Sequence, residues 1–133
     1  MHDKLIKNQK IAVVDDDYTA RVLITEFLED EGYEVISVEN PKNIGHHIED
    51  CSVIIMDVRI EFDRYAGLDY ILEQQKNQKI DPSTRIIFIS NFGYDTQEMR
   101  TRLQEVGKYT WLDKPLEMTE LRRILKSRET NEL

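Results

Sequence analysis

Short runs of apolar residues alternate along the chain with longer stretches in which apolar and polar positions recur at helical spacing. The apolar runs lie at residues 10–14, 33–38, 52–57, 84–90 and 109–112. Because most of them are short, unbroken and rich in β-branched residues, they predict strands that are buried on both faces of a sheet. The run at 33–38 alternates more loosely, which is typical of a strand nearer an edge.

The segments between these runs predict five helices. In the first, Ala20, Leu23, Ile24, Phe27 and Leu28 form one apolar stripe, and Gly32 supplies the stop. The other four are anchored by Ile44 and Ile48, by Leu68, Ile71 and Leu72, by Met99, Leu103 and Val106, and by Leu121, Ile124 and Leu125. The second helix has only two anchors, so we expect it to be short. Asp95 with Glu98 predicts the start of the fourth.

Five strands that alternate with five amphipathic helices predict an α/β fold, with a parallel sheet covered by helices on both faces. The length of 133 residues suits one domain. No apolar run approaches the 18 residues of a membrane span, and the N-terminus lacks the apolar core of a signal peptide. The single cysteine, Cys51, is expected to pack as a small apolar residue in a reducing cytoplasm.

The net charge argues against one class of partner. The formal charge of −8 comes from 26 acidic and 18 basic residues. Because binding to phosphate backbones needs a basic face, we expect no direct nucleic-acid binding by this chain.

Polar side chains follow four of the five predicted strands. Asp15 and Asp16 end the first, Asp57 the third, Ser90 the fourth and Lys114 the fifth. In a doubly wound sheet these carboxyl ends form the ligand site. Two like charges about 4 Å apart repel by about 4 kcal/mol at an effective dielectric near 20, so clustered carboxylates favour a bound cation. Oxygen ligands with open positions favour Mg²⁺ over Ca²⁺.

This arrangement indicates phosphoryl chemistry. A metal at the site would neutralise an incoming phosphoryl group, while Lys114 and the Ser90 hydroxyl bind its remaining oxygens. Asp57 is then placed to attack phosphorus as a carboxylate nucleophile and form an aspartyl phosphate.

The segments that carry these residues resemble the receiver domain of two-component response regulators, of the chemotaxis-receiver kind. They are residues 13–16 with Arg21, 54–57, 87–90 and 112–115. The resemblance assigns residues 8–126 to a receiver domain and 127–133 to a polar C-terminal tail. It implies a flavodoxin-like, three-layer fold whose five-stranded parallel sheet has the strand order 2-1-3-4-5.

The resemblance also implies the partners and the metal ligands. Asp57 would take a phosphoryl group from a sensor histidine kinase or a histidine phosphotransfer protein. Asp16 and Asp57 would ligate Mg²⁺ directly, together with the backbone carbonyl of Arg59, and Asp15 would act largely through water. The protein would thus be a phosphoacceptor regulator with self-directed phosphorylation and dephosphorylation chemistry, and not an enzyme acting on other substrates.

Three further features follow from the same resemblance. The peptide bond from Lys114 to Pro115 would be cis. Ser90 and Trp111 would act as switch residues that respond to the phosphoryl group. Their movement would alter the surface of the fourth helix, fifth strand and fifth helix, and so change the binding of a downstream protein or another domain of the same polypeptide.

The loop after Asp57 departs from the family pattern. Receivers usually carry a proline four residues after the phosphorylated aspartate and a glycine eight residues after it, whereas this chain has Glu61 and, two residues late, Gly67. We interpret loop 58–66 as a tolerated surface insertion. We also expect Arg59 and Phe92 to hinder attacking water and slow the loss of phosphate.

Two alternatives use the same residues. Residues 15–19 read Asp-x-Asp-x-Thr, which is similar to the motif of haloacid-dehalogenase-type phosphatases, with Asp15 as nucleophile and Asp17 as acid/base. That alternative leaves Asp57 without a role, and Asp17 is more simply a helix N-cap. The other alternative is a receiver-like protein-interaction module that is never phosphorylated.

Overall fold

The computed structural model describes residues 9–91 and 96–131, with side chains through residue 127. Its strands are β1 (Lys10–Val14), β2 (Glu34–Val38), β3 (Val53–Asp57), β4 (Arg85–Ser90) and β5 (Thr110–Asp113). Its α-helices are α1 (Tyr18–Asp30), α2 (Ala66–Lys76), α3 (Gln97–Val106) and α4 (Met118–Asn131). All five predicted strands are therefore present. The last helix continues five residues beyond 126, into the segment predicted as a tail.

The sheet is parallel throughout, in the order β2-β1-β3-β4-β5, which confirms the predicted topology. Val14 pairs with Met56, Asp57 with Ile89, and Ser90 with Asp113. This register brings the carboxyl ends of strands β1, β3, β4 and β5 together at one end of the sheet. Among the described residues, no helix is long and apolar enough to cross a membrane.

Side chains of the central strands alternate between two buried layers, as the period of two in a strand requires. One layer packs against α2 and α3, and the other packs against α1 and α4. The first layer holds Ala12, Val14, Ile54, Met56 and Phe88, and the second holds Ile11, Val13, Ile55, Ile87 and Ile89. The strands are apolar on both faces because helices cover both faces, which completes the three layers.

The second predicted helix is short, as expected, but it consists of 3₁₀ turns and not of α-helix. Two 3₁₀ segments, Pro41–Asn43 and Gly45–Asp50, occupy the region, and Asn40 caps the first by accepting from the amide of Lys42. Gly45, where the second segment begins, has φ = 60°, so one continuous α-helix cannot run through residues 41–50. Its anchors, Ile44 and Ile48, are nevertheless buried as expected.

Side-chain caps set the starts of α1 and α3. Asp17 accepts hydrogen bonds from the amides of Thr19 and Ala20, as predicted for an N-cap. In α3 the cap is Thr96, whose hydroxyl accepts from the amide of Met99 at 3.1 Å. The predicted start at Asp95 was therefore one residue early. Positions 92 and 95 themselves lie outside the described residues.

Cys51 is buried just before β3, and we expect its thiol to be unreactive in the native protein. Its Sγ–H donates to the carbonyl of His47 at 3.3 Å, and burial raises the pKa of the thiol to about 11. At pH 8 the thiolate fraction falls roughly 100-fold below that of an ordinary cysteine. A disulfide reagent should therefore modify unfolded protein at least that much faster than native protein. A native thiol that reacted as fast as a free cysteine would contradict the buried placement.

Candidate functional site

Three carboxylates converge where β1 and β3 end. Asp15, Asp16 and Asp57 each offer an oxygen, and these oxygens lie within 4.8 Å of one another. Asp15 is fully buried and Asp57 is 5% exposed, whereas Asp16 is open to solvent. The ammonium of Lys114 lies 2.8 Å from Oδ2 of Asp15 and 3.4 Å from Oδ2 of Asp57. The structure thus brings together four of the predicted site residues.

The charges in this site are unbalanced. Burial, and then the neighbouring Asp15 carboxylate, raises the pKa of Asp57 to about 8, although Lys114 opposes the shift. Burial alone would lower the pKa of Lys114, but its contacts with Asp15 and Asp57 outweigh burial and raise it. One ammonium therefore faces three carboxyl groups, and the ionised form of Asp57 is costly until another cation approaches.

The donor set fits Mg²⁺. All three side chains supply oxygen, the ligand that hard divalent cations prefer. Oδ2 of Asp15 is buried and, among the described residues, meets Lys114 as an ion pair but accepts no hydrogen bond of normal geometry. Asp16 on the solvent side leaves an open approach for an ion that keeps water ligands, as Mg²⁺ usually does. Asp15, Asp16 and Asp57 are the residues that would hold it.

The backbone around Asp15 fixes the direction of its side chain. Its amide donates to the carbonyl of Val38, and its carbonyl accepts from Nη1 of Arg21 at 2.7 Å. Its Oδ1 accepts from the amide of Asp17 at 2.9 Å. The Asp17 carboxylate, in turn, caps α1 instead of entering the site, so the acid/base that the phosphatase alternative requires is otherwise engaged.

Gly67 allows the start of α2 to approach the end of β3. A Cβ atom at this position would lie 2.0 Å from the carbonyl oxygen of Asp57 and 2.8 Å from Cγ of Met56. The late glycine therefore packs against the end of β3. The extra residues of loop 58–66 are taken up by a tight turn between Ile60 and Asp63.

Ser90 and Lys114 reach the same edge of the sheet as Asp57. Ser90 is buried at the end of β4, and its carbonyl accepts from the amide of Lys114 at 2.8 Å. The peptide bond from Lys114 to Pro115 is cis. Trp111 is partly buried, packs with its ring centroid 6.4 Å from that of Phe88, and donates its indole N–H to Asp113.

Two contacts of the site were not predicted from the sequence. One is the hydrogen bond from Arg21 to the Asp15 carbonyl, and the other is a hydrogen bond from the amide of Glu61 to Oδ2 of Asp16. Arg59, predicted to contribute its carbonyl, turns its side chain back so that Nε donates to the carbonyl of Glu61. The sequence carried one signal for the hydrogen bond to Asp16. Glu61 has an N–H, whereas the proline that is usual at this position has none.

Comparisons with known proteins agree with the fold. The sequence model of a family described as response regulator receiver domain matches residues 11–126. Sporulation initiation phosphotransferase F of Bacillus subtilis (strain 168) is similar to this chain, with 28% identity over 121 residues that cover 90% of the chain and 92% of the relative.

Solved structures share the same fold. A CheY-like response regulator receiver domain protein from Methanospirillum hungatei JF-1 is similar with a TM-score of 0.76 and 20% identity, covering 91% of this chain and 93% of that one. The chemotaxis protein CheY4 of Vibrio cholerae is similar with a TM-score of 0.76 and 23% identity, covering 90% and 98%. At these identities the likeness supports the architecture alone.

Proposed function

The chain belongs to the response regulator receiver domain family, and on that premise we propose that Asp57 is a phosphoacceptor that works with Mg²⁺. The observation that supports this proposal is the convergence of Asp57 with Asp15, Asp16 and Lys114, all within ion-pair or metal-ligand reach. When the Asp57 carboxylate is phosphorylated, these neighbouring side chains can remain in place around it. The site therefore suits a residue that cycles between a free and a phosphorylated form.

Each residue has a chemical task in the proposed reaction. An oxygen of Asp57 forms the new bond to phosphorus while the bond from phosphorus to the donor imidazole nitrogen breaks, and solvent protonates the departing imidazole. Lys114 and the Ser90 hydroxyl bind phosphoryl oxygens as negative charge shifts onto them. Asp16 and Asp57, with the Arg59 carbonyl and with Asp15 through water, would hold the ion. Bound Mg²⁺ would supply charge neutralisation between the anionic nucleophile and the anionic phosphoryl group.

We propose a sensor histidine kinase or a histidine phosphotransfer protein as the phosphoryl donor. The similarity to a protein named a phosphotransferase, covering 92% of that relative, supports a role as a carrier within a phosphorelay. The acidic net charge of −8 supports protein partners over nucleic acid. A buried free thiol at Cys51 is compatible with the cytoplasm, which we propose as the location.

The output of the phosphorylated state is proposed to pass through α3, β5 and α4, the predicted fourth helix, fifth strand and fifth helix. Ser90 ends β4 beside the end of β3, and Trp111 lies on β5, one of the elements of this surface. A new dianion at Asp57 would bias a two-state equilibrium of these residues. The changed surface would then bind or release a downstream protein or another domain of the same polypeptide.

Treatment with acetyl phosphate and Mg²⁺ should add one phosphoryl group to the wild-type protein, detected by intact mass. Asp57→Asn should gain none, and chelation of Mg²⁺ should abolish the gain in the wild type. The matched control is Asp81→Asn. Asp81 is exposed and lies before β4, at the end of the sheet opposite to the site, so this variant should react normally.

The same measurement separates the alternatives. A phosphatase that used Asp15 would lose its covalent intermediate in Asp15→Asn and keep it in Asp57→Asn. A module that is never phosphorylated would gain no mass from acetyl phosphate or from any phosphorylated histidine donor, and that result would refute the proposal.

A further inference from the structure

We propose that the turn at residues 60–63 positions Asp16 for Mg²⁺ through the backbone amide of Glu61. The amide donates to Oδ2 of Asp16 at 2.7 Å, across 45 residues of sequence. The inference rests on the proposed Mg²⁺ site and adds a positioning group to it. Loop 58–66, interpreted from the sequence as a tolerated insertion, would then have a task in the site.

The turn has a backbone geometry that aims this amide. The amide of Ile60 donates to the carbonyl of Asp63 at 3.1 Å, and the amide of Asp63 donates back at 3.0 Å. Glu61, within the closed turn, has φ = 57°. A left-handed conformation is unfavourable for a residue with a Cβ, and the hydrogen bonds between Ile60 and Asp63 hold Glu61 in it. Phe62 is 96% exposed, so packing of its side chain does not hold the turn.

The sheet sets the position of the turn. The Ile60 side chain is 3% exposed, and the amide of Val58 donates to the carbonyl of Ile89 on β4. On the other side of the turn, the amide of Gly67 donates to the carbonyl of Val58 at 2.9 Å. The donor at Glu61 is thereby fixed relative to Asp57, the other direct ligand. It contacts Asp16, which lies in the loop after β1.

The hydrogen bond is compatible with metal binding. A carboxylate has two oxygens and about four lone-pair directions, so Oδ2 of Asp16 can accept from the amide while the group still ligates an ion. A hydrogen bond to an ionised acceptor is short and strong, as the 2.7 Å separation indicates. Because Asp16 is exposed, it would otherwise sample several rotamers, and ordering it on metal binding would cost entropy. The usual proline at this position has no N–H and could not make the contact.

Loss of a hydrogen bond that orients a ligand typically weakens metal binding about 10- to 100-fold. Here one exposed carboxylate of three is affected, so we expect the lower end, about tenfold. If the amide instead competed with the ion for Oδ2, its removal would strengthen binding. The two roles therefore predict opposite changes in affinity.

The test replaces the amide at position 61 by an ester, which removes the N–H and keeps the side chain. The Mg²⁺ dissociation constant, measured by calorimetry on the full chain, should rise about tenfold. Glu61→Ala and Glu61→Gly retain the N–H and should bind Mg²⁺ within about twofold of the wild type, and Glu61→Gly also removes the left-handed strain. Thermal unfolding in chelator should show that all four proteins are folded.

An unchanged or tighter dissociation constant in the ester variant would overturn the inference. Should the ester variant fail to fold, amide exchange in the wild type decides. The Glu61 amide proton should exchange slowly and lose that protection in Asp16→Ala, and fast exchange in the wild type would contradict the contact. A wild type that binds Mg²⁺ but accepts no phosphoryl group would refute the proposed function alone.

Discussion

Replacing Gly67 by alanine is expected to destabilise the protein by about 3 kcal/mol. The added Cβ would lie 2.0 Å from the carbonyl oxygen of Asp57, so backbone, and not a flexible side-chain end, would have to move. Alanine normally favours a helix over glycine by about 1 kcal/mol, and this clash outweighs that preference. Because the displaced backbone carries Asp57, Mg²⁺ affinity should fall as well. Denaturant unfolding with and without Mg²⁺ measures both effects.

Gly45→Ala is the matched control. Gly45 has φ = 60° but nothing within 4 Å of an added Cβ, so its substitution should cost only the left-handed strain, about 1 kcal/mol. Mg²⁺ affinity should be unchanged in this variant. Equal losses of stability at the two glycines would show that the approach of α2 to β3 can relax, contrary to the expectation.

Asp57→Asn is expected to raise the stability of the metal-free protein by about 2 kcal/mol at pH 8. Burial and the Asp15 carboxylate raise the pKa of Asp57 to about 8, so ionising this group in the folded state is costly. The amide carries no charge and avoids that cost. The expected gain in stability is smaller than the free energy that corresponds to the full pKa shift of Asp57, because Lys114 loses one of its two carboxylate partners.

The sign of the pH dependence follows from the same shift. The folded protein holds the Asp57 proton up to about pH 8, whereas the unfolded chain releases it near pH 3.8. Protonated Asp57 therefore favours folding fully below about pH 4, and this contribution is lost as the pH rises towards 8. The stability difference between Asp57→Asn and wild type should grow across this window in chelator.

Saturating Mg²⁺ should reduce the advantage of Asp57→Asn, because the ion stabilises the wild type more than the variant. Denaturant midpoints at several pH values, with and without Mg²⁺, measure both effects. The wild type could also prove more stable than Asp57→Asn at pH 8 in chelator. That result would contradict the expectation that ionised Asp57 destabilises the folded protein.

The strands and most helices were predictable because burial leaves a local pattern. Strands apolar on both faces, such as the run at 53–57, require cover on both sides, and Ile24 and Leu28 of the predicted stripe form the buried face of α1. Leu23 was wrongly placed in that stripe, because it is 57% exposed. For residues 41–50 the two anchors, Ile44 and Ile48, are too few to distinguish an α-helix from 3₁₀ turns. A φ of 60° at Gly45 then decided between them.

The sequence by itself determined the order of the elements and which residue types end each strand, because hydrophobic period and chain order are local properties. It also marked the loop after Asp57 as unusual. Only the tertiary structure decided that Gly67 touches the Asp57 carbonyl, that Lys114 lies closer to Asp15 than to Asp57, and that a backbone amide at position 61 meets Asp16. The first and third of these contacts involve backbone groups, and the distances from Lys114 depend on how the strands are aligned, so the hydrophobic pattern of the sequence does not specify them.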